Sequence, residues 1–395
     1  MHPENKNILA VNGGSSSIKF SLYETGEGKL PVKWLSGKID RIGLPDPKLT
    51  YTNKRREKGE EKVPATTPEE AAGFLLGWLE EQGAQPLAAI GHRIVHGLHH
   101  REARLIDDEL LETLRRISNY DPDHLPGEIA LIELFQRKQP GIPQVACFDT
   151  AFHAALPRLA KLLPLPRRYD NAGLQRYGFH GLSYAYVMEE LTRADPSVAR
   201  GSVILAHLGS GASLAAVKDG VSVDTTMGFT PTGGVVMGTR TGDLDPGVCW
   251  YLLQNEKLTA GQFNHLVNHE SGMLGISETS SDMQDLLSRE SSDDRAAEAI
   301  GLFCYQVKKT IGAFSAVMGG LDALVFTGGI GERSSVIRSR ISSGLDYLGI
   351  SLDQKANEQN AFLLSAAASR TPIYAIPTDE EWMIARSAYH LLKEL

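Results

Sequence analysis

Short apolar runs, each ending in a glycine-rich turn, set the elements of this chain. Ile8-Leu9-Ala10-Val11 leads into Asn12-Gly13-Gly14-Ser15-Ser16-Ser17-Ile18-Lys19. Ile18, Phe20 and Leu22 then alternate with Lys19, Ser21 and Tyr23. An apolar run, a glycine turn and an alternating run predict a β-hairpin. The pattern returns in the second half, where Val203-Ile204-Leu205-Ala206 precedes His207-Leu208-Gly209-Ser210-Gly211-Ala212-Ser213 and Leu214-Ala215-Ala216-Val217 follows. Two such hairpins predict two similar halves facing one nucleotide. A third turn differs. Leu324-Val325-Phe326 enters Thr327-Gly328-Gly329-Ile330-Gly331-Glu332, and a helical pattern follows. A strand that turns through glycines into a helix is a nucleotide-binding junction.

The remaining pattern is mixed α and β. Residues 30–63 read as strands, with a charged hairpin tip at 53–62. A helix opens at Pro68 and carries Phe74, Leu75, Trp78 and Leu79 on one side. A short strand at 88–90 enters Gly91-His92-Arg93-Ile94-Val95-His96-Gly97. Residues 107–118 form an amphipathic helix, 120–126 a rigid loop and 127–136 a second helix. Val145-Ala146-Cys147-Phe148-Asp149-Thr150 is a buried-strand pattern ending in a carboxylate. Helices are expected at 183–194, 334–346 and 353–360. The stretch 294–318 is apolar nearly all round, which predicts a buried helix, partly at a subunit interface. Ile373-Tyr374-Ala375-Ile376 is a strand, and Thr378-Asp379-Glu380-Glu381 caps a last helix. No fixed-period repeat or low-complexity tract interrupts this order.

Composition narrows the class. A chain of 395 residues is long for one core and suits two domains. The expected first domain is 1–150, with the last helix, 382–395, packing back on it; the second is 151–381. A net charge of −8 offers no global basic field to nucleic acid, so an anionic substrate needs local Arg or Lys. Cys147, Cys249 and Cys304 lie far apart, which argues against a disulfide framework and fits a reducing cytoplasm. No stretch approaches the ~20 apolar residues of a membrane helix. The first residues, Met1 to Lys6, carry no apolar signal region.

Candidate chemistry gathers at the turns. Glycines at 13 and 14 let an anion approach the backbone, and Ser15, Ser16, Ser17 and Lys19 offer hydroxyls and an ammonium for phosphate oxygens. The same stretch also reads as an ordinary hairpin with a polar tip. The run at 328–331 is not a P-loop, because no Gly-Lys-Ser/Thr ends it. His92 and His96 stand four apart, but their flanking glycines favour strand and loop over a helical zinc site. Arg93 lies in an apolar strand between two glycines. Asp149 stands at a strand's carboxyl end, where α/β sheets bind ligands, and equally where a helix cap would stand. His180 is set among glycines before a helix, where a capping histidine would also fit. Arg240 sits at the centre of a long polar loop, 224–246, and such loops are commonly functional.

Several of these motifs together resemble the acetate kinase family of the acetate and sugar kinase/heat-shock/actin superfamily. They are Asn12 to Lys19, Gly91 to Gly97, Phe148 to His153, Arg176 to Gly181, Met237 to Pro246 and Ile376 to Glu381. The resemblance runs nearly the whole length. It implies an α/β fold of two similar actin-like (ribonuclease H-like) domains with a nucleotide cleft between them. It implies that Arg93 and Arg240 bind the carboxylate and the transferring phosphoryl group. Asp149 and Glu380 would help hold Mg²⁺, with Asn12 supporting the metal–phosphate geometry. His180 would stabilise the transition state, and His124 would sit in the site. Val95, Asp123, Phe179 and Pro231 would line the acceptor pocket. Ser15, Ser17, Lys19, His207, Gly209, Ser210, Gly211, Asp282, Gly328, Gly329, Ile330 and Gly331 would bind ATP. A homodimer is expected. The chain departs from the family pattern at Asp123, Leu125, Ser210, Leu182, Tyr184, Arg333 and Asp379.

These residues suit one reaction best. Phosphoryl transfer needs positioning and charge neutralisation. A sugar hydroxyl must lose a proton to a general base. A carboxylate, with a pKa of roughly 4, is already ionised and needs only Arg to bring it to an anionic nucleotide. Two arginines in glycine-framed segments therefore favour an acyl phosphate product. Two other readings stay open: a kinase or phosphohydrolase of the same superfamily with a more polar acceptor, and a non-catalytic nucleotide-binding module.

Overall fold

The computed structural model describes residues 6–14, 17–26, 29–84 and 86–394. The chain divides into two compact units, Met1–Ala151 with Asp379–Leu395, and Phe152–Thr378. The final helix begins at Glu380 and goes with the first unit from Asp379 onward.

The first unit is built on one sheet. Its strands are β1 (Lys6–Gly13), β2 (Ile18–Gly26), β3 (Lys29–Asp40), β4 (Lys48–Thr52), β5 (Lys58–Lys62), β6 (Leu87–Ile94), β7 (Arg104–Leu105) and β8 (Gln144–Phe148). They run in the order β5-β4-β3-β2-β1-β6-β8-β7. β1 to β5 form an antiparallel meander, while β6 and β8 join β1 in parallel. The hairpin register sets Asn12 opposite Lys19 and Gly13 opposite Ile18. Helix Pro68–Glu81 starts with a capping box between Thr67 and Glu70, which satisfies two otherwise orphaned N–H groups. Its Leu75 and Trp78 share a core with Leu9, Val11, Phe20, Leu22 and Phe135. Helix Glu380–Glu394 is capped by Asp379, whose carboxylate accepts from the Trp382 N–H at 3.0 Å and from Lys33 at 2.5 Å.

The second unit carries a smaller sheet in the order β11-β10-β9-β12-β13. The strands are β9 (Ser202–Leu208), β10 (Ala212–Lys218), β11 (Val221–Thr225), β12 (Ala323–Thr327) and β13 (Ile373–Ala375). β9, β10 and β11 are antiparallel neighbours, and β12 and β13 follow β9 in parallel. All five residues of β12 are buried, as expected of a parallel strand covered on both faces. A hairpin flanked by parallel strands thus occurs in both units, so the expected pair of similar α/β halves is present.

Helix Asp294–Met318 corrects one expectation. Ile300, Phe303, Val307 and Ile311 are buried, but Tyr305 and Val317 are 63% and 62% exposed. Apolar residues all round it mark a helix with a core face and a second apolar face open in this chain. Helix Pro246–Asn255 buries no residue at all, and Val248, Trp250 and Tyr251 are exposed.

Candidate active site

In the first unit the site residues collect at the carboxyl ends of the parallel strands. β6 delivers Arg93, and β8 delivers Asp149 just beyond its end. Arg93 Nη2 donates to Asp149 Oδ2 at 2.6 Å, and Asp149 is fully buried. The backbone repeats the tie, since the Asp149 N–H donates to the Ile94 carbonyl at 2.9 Å. Glu128, on helix Leu125–Lys138, places Oε1 3.5 Å from Arg93 Nη1. Its Oε2 accepts the Val95 N–H at 2.9 Å. Asn12 Nδ2 donates to Glu380 Oε2 at 3.3 Å.

Three carboxyl groups therefore bear on one guanidinium. Burial alone would weaken the charge on Arg93, but Asp149, Glu128 and Glu380 together outweigh it and hold the group charged. Burial pushes Glu128 up to about 8 against the pull of Arg93. Burial and the Asp149 charge push Glu380 up to about 7, with Arg93 and Lys19 opposing. One more cation would relieve that excess of negative charge. Asp149, Glu380 and Asn12 supply only oxygen donors, the kind Mg²⁺ takes, and that ion keeps several waters and phosphate oxygens in its shell. Among the described residues no group of three or more His, Cys, Asp or Glu is disposed to hold a metal by itself. The donor set thus fits an ion shared with a phosphate better than a protein-only cage.

The loop at 120–126 adds a second pair. His124 Nδ1 lies 2.8 Å from Asp121 Oδ1, which also accepts the His124 N–H at 3.2 Å. Asp121 is 4% exposed, so it fixes the ring and leaves Nε2 as the outer atom. Asp123 is half-buried and Val95 buried. His92 is no zinc ligand: its Nε2 meets Gln144 Oε1 at 2.6 Å, and burial pushes it down to about 4. Ser17 accepts the Gly14 N–H through its carbonyl at 2.7 Å, and Lys19 is exposed. Ser15 and Ser16 lie outside the described residues.

The second unit gathers hydroxyl and imidazole groups. His180 takes the left-handed conformation, φ 60°, just before helix Gly181–Ala194. Its Nδ1 lies 2.8 Å from Ser213 Oγ, which lies 2.5 Å from the Tyr184 hydroxyl. Ser213 is fully buried. Tyr184, Ser213 and His180 Nδ1 thus form one hydrogen-bonded chain behind the ring, and Nε2 faces the Gly211 turn. The ring stacks on His207, centroids 4.1 Å apart, and His207 Nδ1 pairs with Ser183 Oγ at 2.8 Å. A Cβ on Gly211 would stand 3.4 Å from His180 Nε2 and 3.6 Å from Arg240 Nη1. The glycine thus brings both groups to the backbone of one turn. Arg240 Nη1 also donates to the Pro231 carbonyl at 3.4 Å. The Phe179 carbonyl accepts from His153 Nε2 at 3.0 Å, and its ring is buried.

The glycine turns are tied together. The Gly209 N–H donates to Gly211 O at 3.1 Å, and the Gly238 N–H to Ser210 O at 3.0 Å. Gly328 has φ 75°, and a Cβ there would come 2.7 Å from Leu208 O, so only glycine fits. Glu332 accepts the Gly328 and Thr378 N–H groups at 3.1 Å each. Arg338 donates to Gly331 O at 2.8 Å. Gly329 is exposed and Ile330 half-buried at this turn. Asp282 is an exposed N-cap, accepting from the Gln284 and Asp285 N–H groups.

The sequence matches the acetokinase family over residues 7–386. It is 41% identical to an acetate kinase of Methylocella silvestris over 98% of each chain. It is 40% identical to a propionate kinase of Citrobacter rodentium over 97% of this chain and 96% of that one. The solved structure of a propionate kinase from Francisella tularensis superposes with a TM-score of 0.90 at 34% identity, over 97% of this chain and 98% of that one. The chain belongs to the acetokinase family. It is an ATP-dependent kinase with a carboxylate acceptor.

Glu128, Asp121, Ser213, Tyr184 and Glu332 are neighbours of the candidate residues to which the sequence assigned no role in this acetokinase-family chain. Glu128 carried a usable signal. It shares the spacing of Leu125, Ile129 and Ile132, so it is a carboxylate on the apolar face of its helix. Ser213 carried one too, as a hydroxyl inside an otherwise apolar strand.

Proposed function

We propose that this enzyme transfers the γ-phosphoryl group of Mg-ATP directly to acetate or propionate, giving an acyl phosphate and ADP. The carrying observation is the half-buried Arg93, held charged among Glu128, Asp149 and Glu380. A guanidinium kept charged and largely shielded from solvent can receive a second anion that ATP would otherwise repel. We assign Arg93 and Arg240 to charge neutralisation on the acid and the moving phosphoryl group. His180 donates a hydrogen bond from Nε2 to charge developing in the transition state. We assign His124, Val95, Asp123, Phe179 and Pro231 to binding of the acid. Asn12, Asp149 and Glu380 hold Mg²⁺, which when bound neutralises phosphate charge. The three glycine turns, with Ser15, Ser17, Lys19, His207, Ser210, Asp282 and Ile330, receive the nucleotide. No general base is required, because the attacking oxygen is already ionised.

The exposed Val248, Trp250, Tyr251, Tyr305 and Val317 support a homodimer, since apolar surface of this extent marks association. Three unpaired cysteines suit a cytoplasmic setting. An acyl-hydroxamate assay over short carboxylic acids with Mg-ATP tests the reaction, with acetate or propionate expected to give the highest kcat/KM. Hydroxamate from no acid would overturn the proposal. A chiral γ-phosphate should invert once; net retention would require a phosphorylated enzyme instead of direct transfer.

A further inference from the structure

We infer that Glu128 is a positioning residue that brackets the Arg93 guanidinium and the Val95 backbone as one unit for the acceptor acid. The inference rests on the assignment of Arg93 and Val95 to that acid. Glu128 lies one helix away from the motif strands and its side chain is 2% exposed. Its two oxygens are used differently: Oε2 accepts the Val95 N–H at 2.9 Å, while Oε1 makes no hydrogen bond and lies 3.5 Å from Arg93 Nη1, within ion-pair range. Arg93 is thus flanked on two edges by carboxylates from different elements, Asp149 on Nη2 and Glu128 on Nη1.

The choice of residue is informative. Packing alone would be served by an apolar side chain, as at neighbouring Leu125, Ile129 and Ile132. The Val95 N–H alone would be served by glutamine. Burying a carboxylate costs several kcal/mol unless a charge answers it, and the facing charge here is Arg93. A guanidinium held through Asp149 alone can still rotate about that contact. A second carboxylate on the other edge fixes the plane in which its donors are presented, and planar presentation is what Arg offers to a carboxylate or phosphoryl group. The bracket also spans the point where β6 ends, since Arg93 is its penultimate residue and Val95 lies just beyond it.

The test compares the full-length wild type with Glu128→Ala, Glu128→Gln, Arg93→Ala and the Arg93→Ala/Glu128→Ala pair. Glu128→Ala should raise KM for the acid about ten- to a hundredfold, the scale of an ångström-level misplacement, with KM for ATP nearly unchanged. Glu128→Gln keeps an acceptor for Val95 and should lose less. In the Arg93→Ala background Glu128→Ala should cost clearly less than in the wild type, leaving only the loss of the Val95 contact. Equal losses in both backgrounds, or parallel rises in both KM values, would overturn the inference. A readout without substrate stands beside these. The Arg93 guanidinium signals in an NMR spectrum should show slow rotation in the wild type and fast rotation in Glu128→Gln. Slow rotation in both would overturn the bracket. Absence of acyl phosphate from the wild type would refute the proposed reaction and leave the NMR result to decide Glu128.

Discussion

β1 and β2 form a glycine hairpin beside parallel β6 in the first unit, and β9 and β10 form one beside parallel β12 in the second. The strand plan is repeated, but the buried polar groups around it are not. The first unit gathers ionisable groups: Arg93 with Glu128 and Asp149, and Glu380 acting on Arg93 and Asp149. The second unit aligns hydroxyl and imidazole groups, Tyr184, Ser213, His180, His207 and Ser183, with Arg240 beside them. A repeated fold therefore fixes where a site can form, while side chains behind the turn decide its electrostatics. Fixed charges strengthen binding of ions but make the unit sensitive to pH. A chain of hydroxyls orients a ring without that cost.

The largest effects should come from the two arginines, one in each unit. Arg93→Ala and Arg240→Ala should each lower turnover ~10²–10³-fold, the usual loss for one preorganised partner of developing charge. Circular dichroism should show both variants folded. Near-normal kcat in both would end the assignment of charge neutralisation to either unit.

The hydrogen-bonded chain of the second unit is a smaller lever. Ser213→Ala cuts the link between Tyr184 and His180 Nδ1. One hydrogen bond of 1–1.5 kcal/mol corresponds to roughly tenfold in kcat. Tyr184→Phe should lose less, because Ser213 still reaches His180. A Ser213→Ala enzyme with wild-type kcat would show that the ring is held by its stacking on His207 instead.

The motifs legible in the sequence are those in which backbone and side chain serve the same purpose. Arg93 and Asp149 stand at strand ends where sheet topology makes sites, and the hairpin at 207–213 was marked by its glycines. Glu128 and Ser213 each carried a signal as a polar residue at an apolar position, but not the identity of their partners, which are 29 residues away or more. Local pattern carries the element and its buried face; it does not carry which distant polar atom that face will meet. The all-round apolar pattern of helix Asp294–Met318 suggested a core face and an interface face, but it does not say which side chains belong to which.

The contrast in charge also predicts a contrast in stability. Glu128 and Glu380 titrate near 8 and 7 in the folded protein and near 4.5 when unfolded. The folded state keeps protons that the unfolded chain releases. Their contribution is therefore complete below about pH 4.5 and is lost as pH rises through 7 to 8. His92 and His96, both pushed down to about 4 by burial, act oppositely. Their contribution is complete above about pH 6.5 and is lost as pH falls through 4. Glu380→Gln keeps an acceptor for Asn12 and removes the charge. It should raise Tm at pH 8 by several degrees, at roughly 2–4 °C per kcal/mol, change little at pH 5, and lower activity. Calorimetry checks this, and equal shifts at both pH values would place the effect in packing instead of charge.

The smallest expected effect sharpens the first unit alone and concerns the acid itself. Asp123 occupies the position where the family pattern has leucine, next to His124 and two residues from the buried Asp121. An ionised carboxylate beside the acid disfavours a bare methyl group and repels a second carboxylate. It can also accept a hydrogen bond from a hydroxyl on a larger acid. Asp123→Leu should accordingly raise kcat/KM for acetate or propionate by roughly 1 kcal/mol, about fivefold. A hydroxylated acid should lose ground by a similar factor, because its hydroxyl would be left without a partner. The Asp121–His124 pair is untouched by this substitution, so kcat for the favoured acid should hold while the ranking of acids changes. Measuring kcat/KM for acetate, propionate and a 2-hydroxy acid on both proteins decides the matter. An unchanged ranking would mean that Asp123 points away from the acid and that the selectivity of this loop lies with Val95 and His124.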